Sequence, residues 1–111
     1  MNGLTPEQIL EACREGEYRV LAQHETVIVV DRPLPGGGAG DVRSLVFFHL
    51  FAGTWSASCH VRRCTEANPL TYDTRCVGRR PLQDDLELRI WIGGVSSIPA
   101  DGRETQVLLR A

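Results

Sequence analysis

Residues 44–62 have the sequence SLVFFHLFAGTWSASCHVR, in which only His49 interrupts the apolar stretch from Leu45 to Ala52. Two strand-like runs flank Ala52-Gly53. A two-residue connection that contains glycine is a strong signal for a β-hairpin, because the tight hairpin turns need positive φ angles. Pairing Phe51 with Thr54 then sets the register of both strands. We therefore predict a long antiparallel hairpin around which the rest of the chain is organised.

This register gives the hairpin two different faces, because side chains alternate with a period of two along a strand. A slip of one residue would exchange the faces completely. The predicted core face is apolar and pairs Leu50 with Trp55, Phe48 with Ala57 and Val46 with Cys59. The second face pairs Phe51 with Thr54, His49 with Ser56, Phe47 with Ser58 and Leu45 with His60.

The large apolar residues of the second face predict that it forms an interface. Phe47 and Phe51 are large apolar groups, and a contiguous exposed apolar patch usually marks a contact surface. Trp91 adds a further large side chain on a predicted strand, so we expect Phe47, Phe51 and Trp91 at the interface of a symmetric homodimer. Two alternatives remain open at this level. The N-terminal helix covers this face, or the sheet closes on itself as a monomeric barrel.

The N-terminal segment carries a complete helix start. Thr5 is the predicted N-cap, Pro6 occupies the first helical position, and Gln8 closes a capping box. Gly16 is the predicted stop. A helix of about ten residues is too short to be stable in isolation, so we expect it to dock on the sheet.

The remaining strands are predicted from alternation and turn signals. Residues 17–22 and 25–31 form a second hairpin with a turn at Gln23-His24, which places Val20 opposite Val27 and Tyr18 opposite Val29. Residues 65–85 are irregular apart from a short strand at 72–77. Alternation of Leu86, Leu88, Ile90 and Ile92 predicts a strand, followed by a loop at 93–102 and a last strand at 105–110.

These elements predict a single domain over residues 1–111. The predicted class is α+β, with a short N-terminal helix packed on a curved, mostly antiparallel sheet of five or six strands. The chain has 111 residues and can bury a modest core.

Charge is segregated along the chain although the net charge is only −2. Residues 1–31 carry six acids and two arginines, whereas residues 62–80 carry five arginines and two acids. All twelve basic residues are arginine, which excludes a P-loop lysine and Schiff-base chemistry.

The arginine-rich segment is the predicted partner-binding site. Arginine binds carboxylate and phosphate groups in a bidentate manner. An acidic protein surface is the first expected partner. Nucleic acid is the alternative, with Trp55, Tyr72 or Trp91 available for stacking on bases. The residues assigned to this site are Arg62, Arg63, Arg75, Arg79, Arg80 and Tyr72.

Metal and catalytic sites are not predicted. Cys59, His60, Cys64 and Cys76 lack the paired short spacings of zinc sites, and the adjacent Cys59 and His60 point to opposite faces of a strand. Cys13 and Cys59 fit small buried core residues. The glycine-rich residues 36–40 lack the lysine and the following helix of a phosphate-binding loop. We therefore expect no cofactor and no enzymatic activity.

The sequence thus favours a small non-catalytic module that binds another protein. An inhibitor of a host system carried by a phage or mobile element is one role of this kind. The alternatives are a nucleic-acid-binding accessory protein that uses residues 62–80, and a small zinc-binding or cysteine-dependent enzyme. No apolar run is long enough to span a bilayer and no signal peptide is visible, so we expect a cytoplasmic protein without membrane contact.

Overall fold

The fold is α+β, as predicted. A computed structural model of the protein describes residues 3–34, 42–64 and 72–98. The strands form one antiparallel sheet in which each strand lies beside its neighbour in sequence. The elements are α1 (Pro6–Glu15), β1 (Arg19–Gln23), β2 (Val27–Pro33), β3 (Val42–Phe51), β4 (Thr54–Cys64), β5 (Tyr72–Leu82) and α2 (Asp85–Ser96).

The central hairpin, β3–β4, has the predicted register. Phe51 pairs with Thr54, and the pairing continues without a shift to the far end of the hairpin. Ala52 and Gly53 have φ angles of 51° and 80°, as a tight turn with two left-handed residues requires. The register prediction from the turn dipeptide is therefore confirmed.

Both helices pack on the same face of the sheet, which we call the core face. Phe48 and Trp91 are fully buried there, and their rings meet edge to face with 6.2 Å between centroids. The core contains Ile9, Ala12 and Cys13 from α1, Leu88, Trp91, Ile92 and Val95 from α2, and Ile28, Val30, Val46, Phe48, Trp55, Ala57, Cys59, Val61 and Leu82 from the sheet.

A chain of polar side chains crosses this core. The Ser96 hydroxyl donates to the Tyr18 hydroxyl at 3.4 Å, and the Tyr18 hydroxyl lies 3.3 Å from that of Ser44. Ser44 Oγ lies 3.5 Å from Cys59 Sγ. These contacts satisfy buried polar groups that would otherwise destabilise the core, and they connect the C-terminal end of α2 to β3 and β4.

The start of α1 confirms the predicted capping box. The Thr5 side chain accepts a hydrogen bond from the Gln8 backbone N–H at 3.2 Å. In return, the Thr5 N–H donates to Gln8 Oε1 at 2.8 Å. Gly16 is the C-cap, as predicted.

The strand predicted around Leu86–Ile92 is wrong, because these residues form α2. Asp84 caps the helix by accepting from the Glu87 N–H at 2.8 Å. The same segment also fits a helix, because its buried positions recur at spacings of three and four residues. The buried side chains of the stripe are Leu88, Trp91, Ile92 and Val95, whereas Leu86 and Ile90 are exposed.

The predicted register of the first hairpin is also wrong. Val20 pairs with Val30 rather than Val27, and Val29 pairs with Ala22 rather than Tyr18. The turn is longer than a two-residue connection, with the His24 N–H donating to the Val27 carbonyl at 2.7 Å. A shift in register between Val20 and Ala22 moves the pairing further.

Residues 72–82 form one long strand, so the predicted strand at 72–77 continues through residues that we expected to be irregular. β5 pairs with β4 along its length, with one register shift near Cys59. The predicted glycine-rich loop at 36–40 and the last strand at 105–110 lie outside the described residues.

Two neighbouring phenylalanines test the assignment of faces. We expect Phe48→Ala to lower the free energy of unfolding by about 3–5 kcal/mol, because it leaves a cavity in the core. Phe51 is 83% exposed, so the matched change Phe51→Ala should leave stability within about 0.5 kcal/mol of wild type. Urea denaturation measures both. Equal losses in the two variants would show that the faces are assigned wrongly.

Candidate binding face

The second face of the sheet is the candidate site, and we call it the outer face. In the described part of the chain, both helices lie on the core face and no helix covers the outer one. Register and burial place 19 residues on it. They are Arg19 and Ala22 (β1); Val27, Val29, Asp31 and Pro33 (β2); Arg43, Leu45, Phe47, His49 and Phe51 (β3); Thr54, Ser56, Ser58, His60 and Arg62 (β4); and Cys76, Arg79 and Pro81 (β5).

Three rings lie in line on β3, and we call Phe47, His49 and Phe51 the aromatic row. The rings of Phe47 and His49 are nearly parallel, with an angle of 9° between their planes and 6.2 Å between centroids. Phe51 is the most exposed large apolar side chain among the described residues. A row of rings on an open face is a surface suited to stacking with flat groups.

His60 borders this row on β4. Its ring meets that of Phe47 edge to face at 5.2 Å, and its Nε2 lies 3.1 Å from Ser58 Oγ. Burial lowers the pKa of His60, and the charge of Arg79 lowers it further. Both effects disfavour the charged form of His60, so Arg79 is the fixed positive charge beside the row.

A buried carboxylate lies at the other end of the outer face. Asp31 is 2% exposed and is held between two arginines, with Arg19 Nε at 2.6 Å from Oδ1 and Arg43 Nε at 2.7 Å from Oδ2. Burial alone would raise the pKa of Asp31, but the hydrogen bonds and charges of the two arginines outweigh it and hold the pKa below its usual value of 3.8. This cluster was not predicted from the sequence, because its three members come from three different strands.

The predicted partner-binding arginines do not share one face. Arg62 and Arg79 are on the outer face. Arg80 lies on the core face opposite Ala57, with its Nη2 3.8 Å from Glu87 Oε2. Neighbouring residues on a strand point in opposite directions, which separates Arg79 from Arg80. Arg63, Tyr72 and Arg75 lie in β4 and β5, and their side chains are outside the described part of the structure.

The residues predicted to form the dimer interface also lie on different faces of the sheet. Phe47 is half-buried and Phe51 exposed on the outer face, as expected. Trp91 is fully buried between α2 and the sheet, so its placement on the exposed apolar face is wrong. The error follows from the strand prediction for residues 86–92. Trp55 is likewise buried in the core and offers no ring to a ligand.

Charge differs between the two sides of the molecule. Among the described residues the outer face carries four arginines and one carboxylate, which leaves a net charge of +3. The acids of the helices and their caps lie on the other side of the sheet: Glu7, Glu11, Glu15, Asp84, Asp85 and Glu87. A chain with net charge −2 thus presents a basic sheet face.

Two cysteines with described side chains are buried in the core and poorly suited to thiolate chemistry. Burial raises the pKa of Cys13 to about 12 and that of Cys59 to about 11. Cys76 is exposed and lies opposite His60 across the β4–β5 pair. The residues that the structure describes contain no group of three or more histidine, cysteine or acidic side chains placed to hold a metal ion.

Comparisons with known proteins add no further constraint. No protein-family model, no curated protein and no solved structure matches the chain.

Among the described helices, none has the length and apolar character needed to cross a membrane.

The Asp31 cluster predicts acid sensitivity. The pKa of Asp31 is lower in the folded state than in the unfolded state, so the ionised carboxylate stabilises the fold at pH values above its unfolded-state pKa. This contribution is lost as the pH falls through the folded-state pKa. Asp31→Asn should therefore lower the free energy of unfolding by about 1.5–3 kcal/mol at pH 7, with a smaller difference from wild type near pH 2.

The matched control is Glu15→Gln, which removes an exposed carboxylate from an ion pair with Arg89. Such exposed pairs contribute at most about 1 kcal/mol. Thermal melts across this pH range measure both variants. A pH-independent loss in Asp31→Asn would contradict the assigned role of the charge.

Proposed function

We propose that this protein is a non-catalytic binding module that uses the outer face to bind a negatively charged macromolecular partner. The observation that supports this most directly is the aromatic row. Among the described residues no helix covers this line of rings, and exposed apolar patches of this kind usually mark interaction sites.

The charge of the outer face supports an anionic partner. Surfaces of opposite charge increase the rate of association and favour particular partners, even where the protein as a whole has a net charge of the same sign as its partner. Arg79 is exposed beside the aromatic row, so a partner that contacts the rings also comes near its guanidinium.

Two features support a role in binding rather than catalysis. Cys13 and Cys59 are buried and protonated at neutral pH. His60 contacts a serine and a phenylalanine rather than an acidic side chain. A catalytic histidine or cysteine normally has a partner that orients it or activates it. A role as an inhibitor of a host system remains a prediction.

A second copy of the chain is the other candidate occupant, and the predicted homodimer remains open to test. The face contains apolar groups that a copy would cover. Pairing two such faces would, however, bring together two surfaces of net charge +3, and like charges in contact disfavour association. Light scattering at micromolar concentration and low salt should therefore give the monomer mass. A dimer mass would favour self-pairing and would contradict our choice of partner.

Two charge reversals test the proposed surface. Arg79→Glu changes the outer face, whereas Arg14→Glu makes the same change on the exposed side of α1. Each variant has net charge −4, two units below the wild-type −2. We expect wild type and Arg14→Glu to be retained equally on immobilised heparin at low salt, and Arg79→Glu to elute at clearly lower salt.

The elution salt concentration is the measurement, and circular dichroism checks that both variants are folded. If wild type is not retained, the proposal of an anionic partner is wrong. If both variants lose retention alike, net charge rather than the outer face is responsible.

A further inference from the structure

We propose that the anionic partner is a single-stranded nucleic acid whose bases stack on the aromatic row. This inference rests on the proposed function and names its ligand. It follows from the way in which three adjacent strands present three kinds of chemical group on one face.

The first strand supplies the stacking surfaces. Phe47, His49 and Phe51 are two residues apart, so their attachment points are about 7 Å from each other along β3. The rings of Phe47 and His49 are nearly parallel, with 6.2 Å between their centroids. Successive bases of a single strand can each stack on an aromatic side chain. The exposed ring of Phe51 offers an open surface to one base, and its two neighbours on β3 offer surfaces to the next.

The second strand supplies hydrogen-bonding groups beside the rings. Ser58 lies opposite Phe47, Ser56 opposite His49, and Thr54 opposite Phe51. Each hydroxyl both donates and accepts, so it can pair with any base edge or with a sugar hydroxyl. Such adaptable partners favour binding with little sequence preference.

The third strand supplies positive charge. Arg79 pairs with Ser58, so Phe47, Ser58 and Arg79 lie in one line across the sheet. Neighbouring strands are about 4.8 Å apart, which places the backbone of Arg79 about 10 Å from that of Phe47. A long arginine side chain at this distance can reach the phosphate of a nucleotide whose base is stacked on the row.

This arrangement selects single strands over duplexes and over acidic peptides. A duplex hides the flat faces of its bases, so rings on a sheet can stack only with unpaired bases. An acidic peptide would use the arginines but has no flat groups for the row. Because Arg79 is placed to contact a phosphate, the affinity for a single strand should fall as the salt concentration rises, with a logarithmic slope of about −0.7 for each phosphate contacted.

Fluorescence anisotropy tests the inference with a labelled single-stranded oligonucleotide of mixed sequence, as DNA and as RNA. The same sequence as a duplex and a labelled poly-glutamate peptide are the comparison ligands. We expect the single strand to bind more tightly than either. Phe51→Ala should weaken that binding about tenfold, while Phe51→Trp should preserve it.

Leu86→Ala is the matched control, because Leu86 is also highly exposed but belongs to α2 on the opposite side of the molecule. It should bind the single strand as wild type does. Both substituted positions are exposed, so neither change should prevent folding. Arg79→Glu should weaken binding of every anionic ligand.

The outcomes separate this inference from the proposed function. Tight binding of poly-glutamate that depends on Arg79, without binding of the oligonucleotides, overturns the nucleic-acid inference and leaves the anionic partner standing. Equal binding of duplex and single strand, or no effect of Phe51→Ala, also overturns the inference. Failure to bind any of the anionic ligands overturns both.

Discussion

Pairing of β3 with β4 across the Ala52-Gly53 turn is the constraint on which the rest of the structure depends. The turn fixes Phe51 opposite Thr54, and every later pair in the hairpin follows. Because side chains alternate along a strand, this one pairing decides which residues enter the core and which face outward. It buries Phe48 under α2 and leaves the neighbouring Phe47 on the outer face. The same register therefore sets both the core face and the proposed binding face.

The two faces are stabilised differently, and in the described part of the chain this difference leaves the outer face without a covering helix. The core face has both helices of the described chain, joined to the sheet through apolar packing and the polar chain that runs through Tyr18 and Ser44. On the outer face, the buried Asp31 holds two arginines at one end. The other end carries the aromatic row and Arg79. A sheet that is already packed on one side can keep rings exposed on the other without losing its core.

Much of the fold could be predicted from the sequence, because local rules determine the elements that were predicted well. The capping box at Thr5 and the turn at Ala52-Gly53 are signals within a few residues. α2 was missed because the alternation of apolar residues at 86, 88, 90 and 92 matches a strand, while the helical stripe consists of residues 88, 91, 92 and 95. Asp84 with Glu87 three residues later was a helix-start signal. For the site, alternation predicted the aromatic row. It also should have separated Arg79 from Arg80. The Asp31 cluster depends on long-range pairing, which sequence spacing does not show.

The chain has three phenylalanines, all in the central hairpin, and they allow a direct measurement of how the register sorts side chains. With ¹³C-labelled phenylalanine, a soluble paramagnetic agent broadens each ring signal according to its exposure to solvent. The variants Phe51→Leu and Phe47→Leu assign two of the three signals, which identifies the third as that of Phe48. We expect strong broadening for Phe51, intermediate broadening for Phe47 and none for Phe48. Broadening of Phe48 with protection of Phe47 would mean that the two faces are exchanged, and it would contradict both the core and the binding face described above.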